Sequence, residues 1–286
     1  MHKEILERLR FEMLMGIETV RPSARVRPDQ VPVTRPSPIP PPVSSGRSAP
    51  SGGEARQRPV REEVTPLPQQ DTRAPAAGEA QVSGGGLFSI EDEVRGLSSE
   101  EKAARWEALE ARVKACTRCP LHQGRTQAVF GDGSRTARLV FVGEAPGADE
   151  DRLGRPFVGR AGQLLDRIIA AMRLKRDEVY ICNIIKCRPP ENRAPADIEI
   201  QTCWPYLEEQ LALLSPKIIV ALGSPALKTL LKTSIGITGM RGRWQSYRGI
   251  PVMPTYHPAY VLRRYTEEIR RQVWNDMQQV MKRLKE

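Results

Sequence analysis

Four cysteines in this chain have spacings that could hold a metal centre. Cys116 and Cys119 form a CxxC pair, and Cys187 and Cys203 follow at the two ends of one loop-rich stretch. A thioredoxin-like redox pair needs its CxxC at a strand–helix junction, whereas a helical pattern precedes this one. Zinc usually takes two close CxxC pairs, while iron–sulfur clusters accept wider spacing. The spacing alone favours a cluster over zinc, and it leaves open that all four are unligated buried cysteines like Cys182, which lies within a predicted strand.

A second group of chemically capable residues stands at the ends of apolar runs. The four runs that predict buried strands are 138–146, 179–187, 217–223 and 250–258. Three of them end in polar or glycine-rich sequence, namely the GEAPG stretch at 143–147, Asn183, and His257 followed by Pro258. Ligands bind at the carboxyl ends of parallel strands, so these three segments are expected to form one site.

The elements between these runs have helical patterns. They are AGQLLDRIIAAMRL, ADIEIQTCWPYLEEQLALL, SPALKTLL and a final amphipathic stretch at 266–285, and an earlier helix opens at Ser98 and Ser99 as candidate caps. Strands that alternate with helices predict an α/β fold with a parallel sheet covered on both faces.

The composition divides the chain into a tail and a folded part. Thirteen of the 25 prolines lie between Pro22 and Pro75, and no aromatic residue occurs between Phe11 and Phe88. Such a segment cannot bury enough apolar surface to offset the entropy of ordering it. We therefore expect a short amphipathic helix within 1–20 that could dock on a protein partner, a disordered linker over 21–94, and a folded domain over 95–286.

Charge and hydropathy narrow the class of protein. The formal net charge of +10 is compatible with a polyanionic partner such as nucleic acid. No run of about 18 apolar residues occurs, so no membrane-spanning helix is expected. The N-terminus is unlike a secretory signal, and five cysteines are an odd number, which favours a reducing cytoplasm over a disulfide framework. We expect a cytoplasmic monomer.

Several motifs, read together, resemble one known family. The ordered set CTRCPLH, GEAPGADEDRLGRPFVGRAGQLL, NIIKCRPPENRAP and HPAYVLR is similar to the family 4 uracil-DNA glycosylases, the iron–sulfur branch of that superfamily. The resemblance covers roughly residues 100–286. It implies a three-layer α/β/α fold with a central four-stranded parallel sheet, and a structural [4Fe–4S] cluster on Cys116, Cys119, Cys187 and Cys203. The implied activity is hydrolysis of the bond that joins uracil to deoxyribose in DNA.

The resemblance also implies roles for residues at the strand ends. Asn183 would read the uracil edge, because its amide offers a donor and an acceptor that match O4 and N3–H. Phe157 would stack on the base, and His257 would hydrogen-bond O2 as negative charge develops there. After the base flips out, Leu262 would fill the vacated stack and Arg263 would contact a phosphate.

The first motif loop departs from the pattern of other branches of the superfamily. Backbone groups of Gly143, Glu144 and Ala145 would contact the base, but Ala145 stands where the best-known uracil glycosylases carry a water-activating Asp. Glu144, Asp149 or Glu150 would then orient water; we favour Glu144, with Glu150 second. A dissociative transition state needs little general-base assistance, so glycosylase activity is still expected. The alternative is a catalytically inactive, DNA-binding or polymerase-associated module of the same fold.

Overall fold

The computed structural model describes residues 90–286. The expected N-terminal helix and most of the expected linker lie outside the described residues. The first helix, α1 (Ile90–Arg95), begins inside the segment that composition assigned to the linker. Its Val94 is buried in the core, so residues 90–94 pack with the folded domain. Two apolar residues, Ile90 and Val94, in a short acidic stretch are too weak a signal to reveal this from sequence.

A mixed sheet forms the centre of the described domain. Its strands are β1 (Asp132–Gly133), β2 (Leu139–Gly143), β3 (Tyr180–Asn183), β4 (Ile218–Leu222), β5 (Gln245–Tyr247) and β6 (Ile250–Thr255), in the order β1-β3-β2-β4-β6-β5. The four central strands are parallel, as expected. The expected count of four strands was too low, because the short antiparallel strands β1 and β5 add an edge on each side. Strands of two and three residues carry no readable alternation.

Helices cover both faces of this sheet. They are α2 (Ser99–Lys114), α3 (Leu121–Gly124), α4 (Ala148–Leu153), α5 (Arg160–Ala171), α6 (Asp197–Leu214), α7 (Gly223–Leu231), α8 (Ile237–Met240), α9 (Pro258–Arg263) and α10 (Glu267–Lys285). The cap predicted at the start of α2 is present, since Ser98 Oγ accepts from the Glu101 backbone N–H at 3.2 Å and Glu101 Oε2 accepts from the Ser98 backbone N–H at 2.7 Å.

Alternate residues of a central strand pack in two separate hydrophobic cores, one on each face of the sheet. Val140 and Val142 of β2 pack in one core with α2, α6 and α7. Leu139 and Phe141 of the same strand pack in the other with α5 and α10. Side chains alternate across a strand, so apolar residues at every position require cover on both faces, and the three-layer α/β/α fold follows.

The register of the parallel strands brings their carboxyl ends together. Gly143, the last residue of β2, pairs with Asn183, the last residue of β3, and Leu222 pairs with Thr255 on the other side. The loops that leave these strands therefore surround one edge of the sheet. Among the residues that the structure describes, no helix is both long enough and apolar enough to cross a membrane.

Candidate active site

A cavity of about 430 Å³ opens at the carboxyl ends of the parallel strands. This volume is in the range of small-molecule sites. Its walls include all but one of the residues predicted to contact uracil, namely Glu144, Ala145, Phe157, Asn183 and His257. Segments separated by more than a hundred residues thus meet at the edge where the sequence placed the site.

Asn183 lines this cavity, and Gly143 lies directly behind it, between the Asn183 amide and the Phe157 ring. Asn183 is 2 % exposed, and its Oδ1 has no hydrogen-bond partner within the described part of the chain. A Cβ on Gly143 would lie 2.4 Å from that Oδ1 and 2.5 Å from Phe157 Cζ. Only glycine leaves room for the amide and the ring to sit side by side. Because a buried amide oxygen without a partner is costly, its position suits a ligand that supplies the missing donor.

Phe157 is held in a left-handed backbone conformation, with φ of 52°. Its backbone is fixed from one side by Arg176, whose guanidinium donates to the carbonyls of Pro156 at 2.5 Å and Phe157 at 3.1 Å. The ring lies 5.5 Å from the His257 ring, centroid to centroid, at an interplanar angle of 34°. A non-glycine residue in this conformation costs energy, and such strain is common at functional sites.

Glu150 holds the same loop from the other side. Its Oε1 accepts from the N–H groups of Val158 at 2.8 Å and Gly159 at 2.9 Å, and its Oε2 accepts from Gly147 at 3.1 Å. The carboxylate therefore joins the 143–147 loop to the Phe157 loop. With both oxygens engaged by backbone donors, Glu150 is poorly suited to activate water, which argues against our second choice for that role.

His257 precedes α9 and serves as its N-cap. Its Nδ1 accepts from the Ala259 N–H at 3.1 Å, so the neutral ring carries its proton on Nε2. Burial lowers the pKa of His257 to about 4, and the positive charge of Arg263 acts in the same direction. The ring is thus a neutral N–H donor at physiological pH, as the sequence reasoning allowed.

Glu144 and Arg263 stand together at the cavity wall. Burial raises the pKa of Glu144, while the charge of Arg263 acts to lower it. Arg263 is solvent-exposed and lines the cavity mouth, in a position from which it can reach a phosphate. Leu262, by contrast, is half-buried and packs partly against the core beside α5 and α10. Tyr265, three residues on, is the more exposed apolar side chain of this segment.

The four predicted ligand cysteines line one small cavity between α2, α6 and the exit of β3. Within the described residues none of them forms a disulfide, and Cys187 and Cys203 are buried. Arg125 Nη1 donates to Cys187 Sγ at 2.9 Å, and the Lys186 backbone N–H donates to Cys203 Sγ at 3.3 Å.

Such donors fit sulfurs that carry thiolate charge. Burial raises the pKa of both Cys187 and Cys203, so these sulfurs need cationic, N–H or metal partners in order to ionise. Within 90–286, no group of three or more His, Cys, Asp or Glu side chains has the arrangement of a single-ion site.

Two supporting residues escaped the sequence reasoning. Arg176 follows a helix with no motif around it, and its contacts to the Phe157 loop cross about twenty residues. Lys186 is 1 % exposed, and its Nζ donates to the Asn183 carbonyl at 2.9 Å. A signal for Lys186 did exist, because a lysine stood inside the predicted buried strand 179–187, next to a predicted ligand cysteine.

The fold and this site define a class of protein. Residues 130–278 match the family model described as "Uracil DNA glycosylase superfamily". The chain is 46 % identical over 176 residues to a Type-4 uracil-DNA glycosylase of Thermotoga maritima, an alignment covering 60 % of this chain and 91 % of that protein. A Type-4 enzyme of Sulfurisphaera tokodaii is 43 % identical over 183 residues, covering 61 % and 82 %. A Type-5 uracil-DNA glycosylase of Pyrobaculum aerophilum is 31 % identical over 183 residues, covering 52 % and 80 %. The chain belongs to the type-4 uracil-DNA glycosylase family.

Proposed function

We propose that this protein excises uracil from DNA and leaves an abasic site, as a step in the repair of deaminated cytosine. One observation carries the proposal: a buried asparagine amide, whose oxygen has no partner among the described residues, faces a cavity walled by an aromatic ring and a neutral histidine. The family to which the chain belongs supports the same activity.

Asn183 supplies the recognition. Its unpaired Oδ1 accepts from N3–H of uracil, and its N–H₂ group donates to O4. Cytosine presents a bare N3 and an amino group, so it leaves the buried Oδ1 without a donor. Phe157 forms a stacking surface, and the cavity admits the base only after it is flipped out of the DNA stack, at a cost of a few kcal/mol.

The reaction needs stabilisation of the departing uracil anion. His257 donates its Nε2–H to O2 as negative charge develops there, and because the ring is neutral it gives up no proton in doing so. Glu144 orients the attacking water and balances the cationic sugar. It suits this role because its carboxylate lines the cavity, whereas the oxygens of Glu150 are engaged by the backbone. The N-glycosidic bond is largely broken before water attacks the sugar, so a weak general base is sufficient to orient that water.

We further propose that Cys116, Cys119, Cys187 and Cys203 hold a [4Fe–4S] cluster. The wide spacing, the buried thiols and the N–H donors to Cys187 and Cys203 support it. When bound, the cluster would crosslink three chain segments next to the base-reading strand, namely the Cys116–Cys119 segment, the exit of β3 and α6. The exposed Arg263 contacts a DNA phosphate. Leu262 fills the vacated stack, and replacing the more exposed Tyr265 instead of Leu262 tests which of the two side chains does so.

The test is excision from uracil-containing single strands and duplexes, detected as strand cleavage after alkali. Glu144→Gln should slow excision by at least about tenfold with little loss of DNA affinity. The matched control is Glu107→Gln, because Glu107 is 71 % exposed on α2. No abasic product from either DNA would favour the inactive DNA-binding module instead. Wild-type turnover in the Glu144 variant would remove that residue from the mechanism.

A further inference from the structure

Lys186 is a buried lysine that the proposed reaction does not use. Its Nζ has two partners, the Asn183 carbonyl at 2.9 Å and Gln210 Oε1 at 2.5 Å. Gln210 is itself fully buried on α6, and its amide nitrogen donates to the Phe130 carbonyl at 3.0 Å and to Tyr180 Oη at 3.1 Å. These two bonds orient Gln210 so that its oxygen faces the lysine.

The backbone of Lys186 extends this network to the cysteines. Its N–H donates to Cys203 Sγ at 3.3 Å, and its carbonyl accepts from Val129 at 2.7 Å. One residue thus contacts both a predicted cluster ligand and the base-reading Asn183. A position that needed only packing would be filled by leucine or methionine, because burying an amine costs several kcal/mol unless its donors are satisfied.

Asn183 is in particular need of such support. Its Oδ1 has no partner within the described residues, so that atom contributes nothing to orienting the amide. The amide must therefore be aimed by its own backbone at the point where β3 ends. On one side the chain is fixed by the Ile184 N–H, which donates to the Gly143 carbonyl at 3.0 Å. The Asn183 carbonyl is fixed by Lys186.

We propose that Lys186 is a positioning residue for uracil recognition, which aims the Asn183 amide by holding its carbonyl while its own backbone N–H is anchored on Cys203. The inference rests on the proposed role of Asn183 as the base reader. The cysteine site then has a defined role. Cys203 Sγ fixes the backbone of Lys186 in the loop that leaves β3, and the Lys186 side chain fixes the carbonyl of Asn183. A displacement of about 1 Å at a recognition group is enough to cost a large factor in rate.

The experiment compares Lys186→Met with Lys114→Met in the holoenzyme. Lys114 is an exposed lysine of α2 whose Nζ pairs with Glu110 on its own helix, at 2.7 Å. Three quantities are measured: the single-turnover excision rate at saturating enzyme, the affinity for abasic-site DNA, and the iron content per chain. Abasic DNA has no base for Asn183 to read, so a positioning defect spares it, whereas general damage to the fold or the DNA surface does not.

Lys186→Met should excise uracil roughly tenfold more slowly, the factor expected for losing one buried hydrogen bond. Affinity for abasic DNA and iron content should stay within about twofold of wild type. Lys114→Met should match wild type in all three. An unchanged excision rate, or a loss of abasic-DNA affinity in parallel with the rate, would overturn the proposal.

A second pair of variants keeps the inference testable if Lys186→Met loses iron. The hydrogen bonds of Gln210 within the described residues go to Lys186, Phe130 and Tyr180, so Gln210→Met removes one partner of Nζ without removing a bond to a predicted ligand cysteine. Gln210→Glu keeps an acceptor for Nζ. If Gln210 holds Lys186 Nζ in place for its bond to Asn183, Gln210→Glu should excise uracil faster than Gln210→Met. Equal excision rates for these two variants would overturn the proposal.

Asn183→Ala separates this inference from the proposed function. If Asn183 reads uracil, that variant alone loses most of its excision rate. Lys186→Met in the Asn183→Ala background should then slow excision no further, because the two act through one contact. An additive loss would refute positioning while leaving the base reader intact. A wild-type rate for Asn183→Ala would instead refute the proposed role of Asn183, and the inference with it.

Discussion

Replacement of Gly143 by alanine tests the geometry of the pocket directly. The added methyl would lie 2.4 Å from Asn183 Oδ1, and 2.5 and 2.6 Å from two atoms of the Phe157 ring. Real Cβ atoms essentially never approach other heavy atoms closer than 3.0 Å. The backbone at Gly143 is not in the left-handed region, so the substitution adds no conformational strain of its own. Its whole effect is steric and falls on the two groups proposed to bind the base.

The size of the effect follows from these distances. The amide and the ring must each move by about 1 Å to reach ordinary contact, and a displacement of that size costs about a hundredfold in rate. That factor corresponds to about 2.7 kcal/mol of transition-state stabilisation. Both groups face an open cavity and can move into it, so the free energy of unfolding should fall by no more than about 1–3 kcal/mol. The variant should therefore fold but excise poorly.

The assay is single-turnover excision from a uracil-containing strand, with chemical denaturation on the same samples. Gly236→Ala is the matched control, because its methyl would meet only Ser224 Oγ, at an ordinary 3.8 Å, beside the same cavity. We expect the control to keep wild-type activity. A Gly143→Ala enzyme that excises uracil at the wild-type rate would refute the placement of Asn183 and Phe157 in the base pocket.

Three further predictions concern protonation, loop support and the cysteines. The imidazole of His257 should titrate near pH 4 by NMR; since its ordinary pKa is 6.5, the unfolded chain protonates first and stability should fall as the pH drops from 6.5 towards 4. A midpoint near 6.5 would contradict the neutral donor. Glu150→Gln loses one of two accepting oxygens and should lower the free energy of unfolding by about 1–3 kcal/mol, with slower excision as the Phe157 loop loosens. Unchanged stability would contradict the loop-holding role. Cys203→Ala should lose iron and visible absorbance while Cys182→Ala, on β3, keeps both; iron loss in the Cys182 variant alone would contradict the ligand set.

Much of the fold was readable from local pattern. The apolar runs gave all four parallel strands, and the helical patterns gave every long helix described between them. These elements are long enough for periodicity to be unambiguous. The errors fell on short pieces, such as the edge strands β1 and β5, and on α1, whose single buried Val94 shows no period. Short elements form because a neighbour offers them backbone partners, and the neighbour is distant in sequence.

The residues of the site divide in the same way. The sequence alone determined which chemical groups stand at the strand ends, because strand termini and the residues that follow them are set locally. Asn183, His257 and the cysteine spacing could be read in this way, and the resemblance to a known family added Phe157 and Glu144.

Only the tertiary structure decided what each of these groups is free to do. It engages one oxygen of Glu150 with the backbone of the Phe157 loop and the other with the Gly147 N–H. It leaves Asn183 Oδ1 without a donor among the described residues, and it leaves the Nε2–H of His257 as the free donor of that ring. It also places Lys186 between the cysteines and the base reader. The physical reason is that the residue type at a position fixes the chemical nature of its side chain. Its hydrogen-bond partners, which determine whether it binds substrate or supports the fold, come from segments that meet only when the chain is folded.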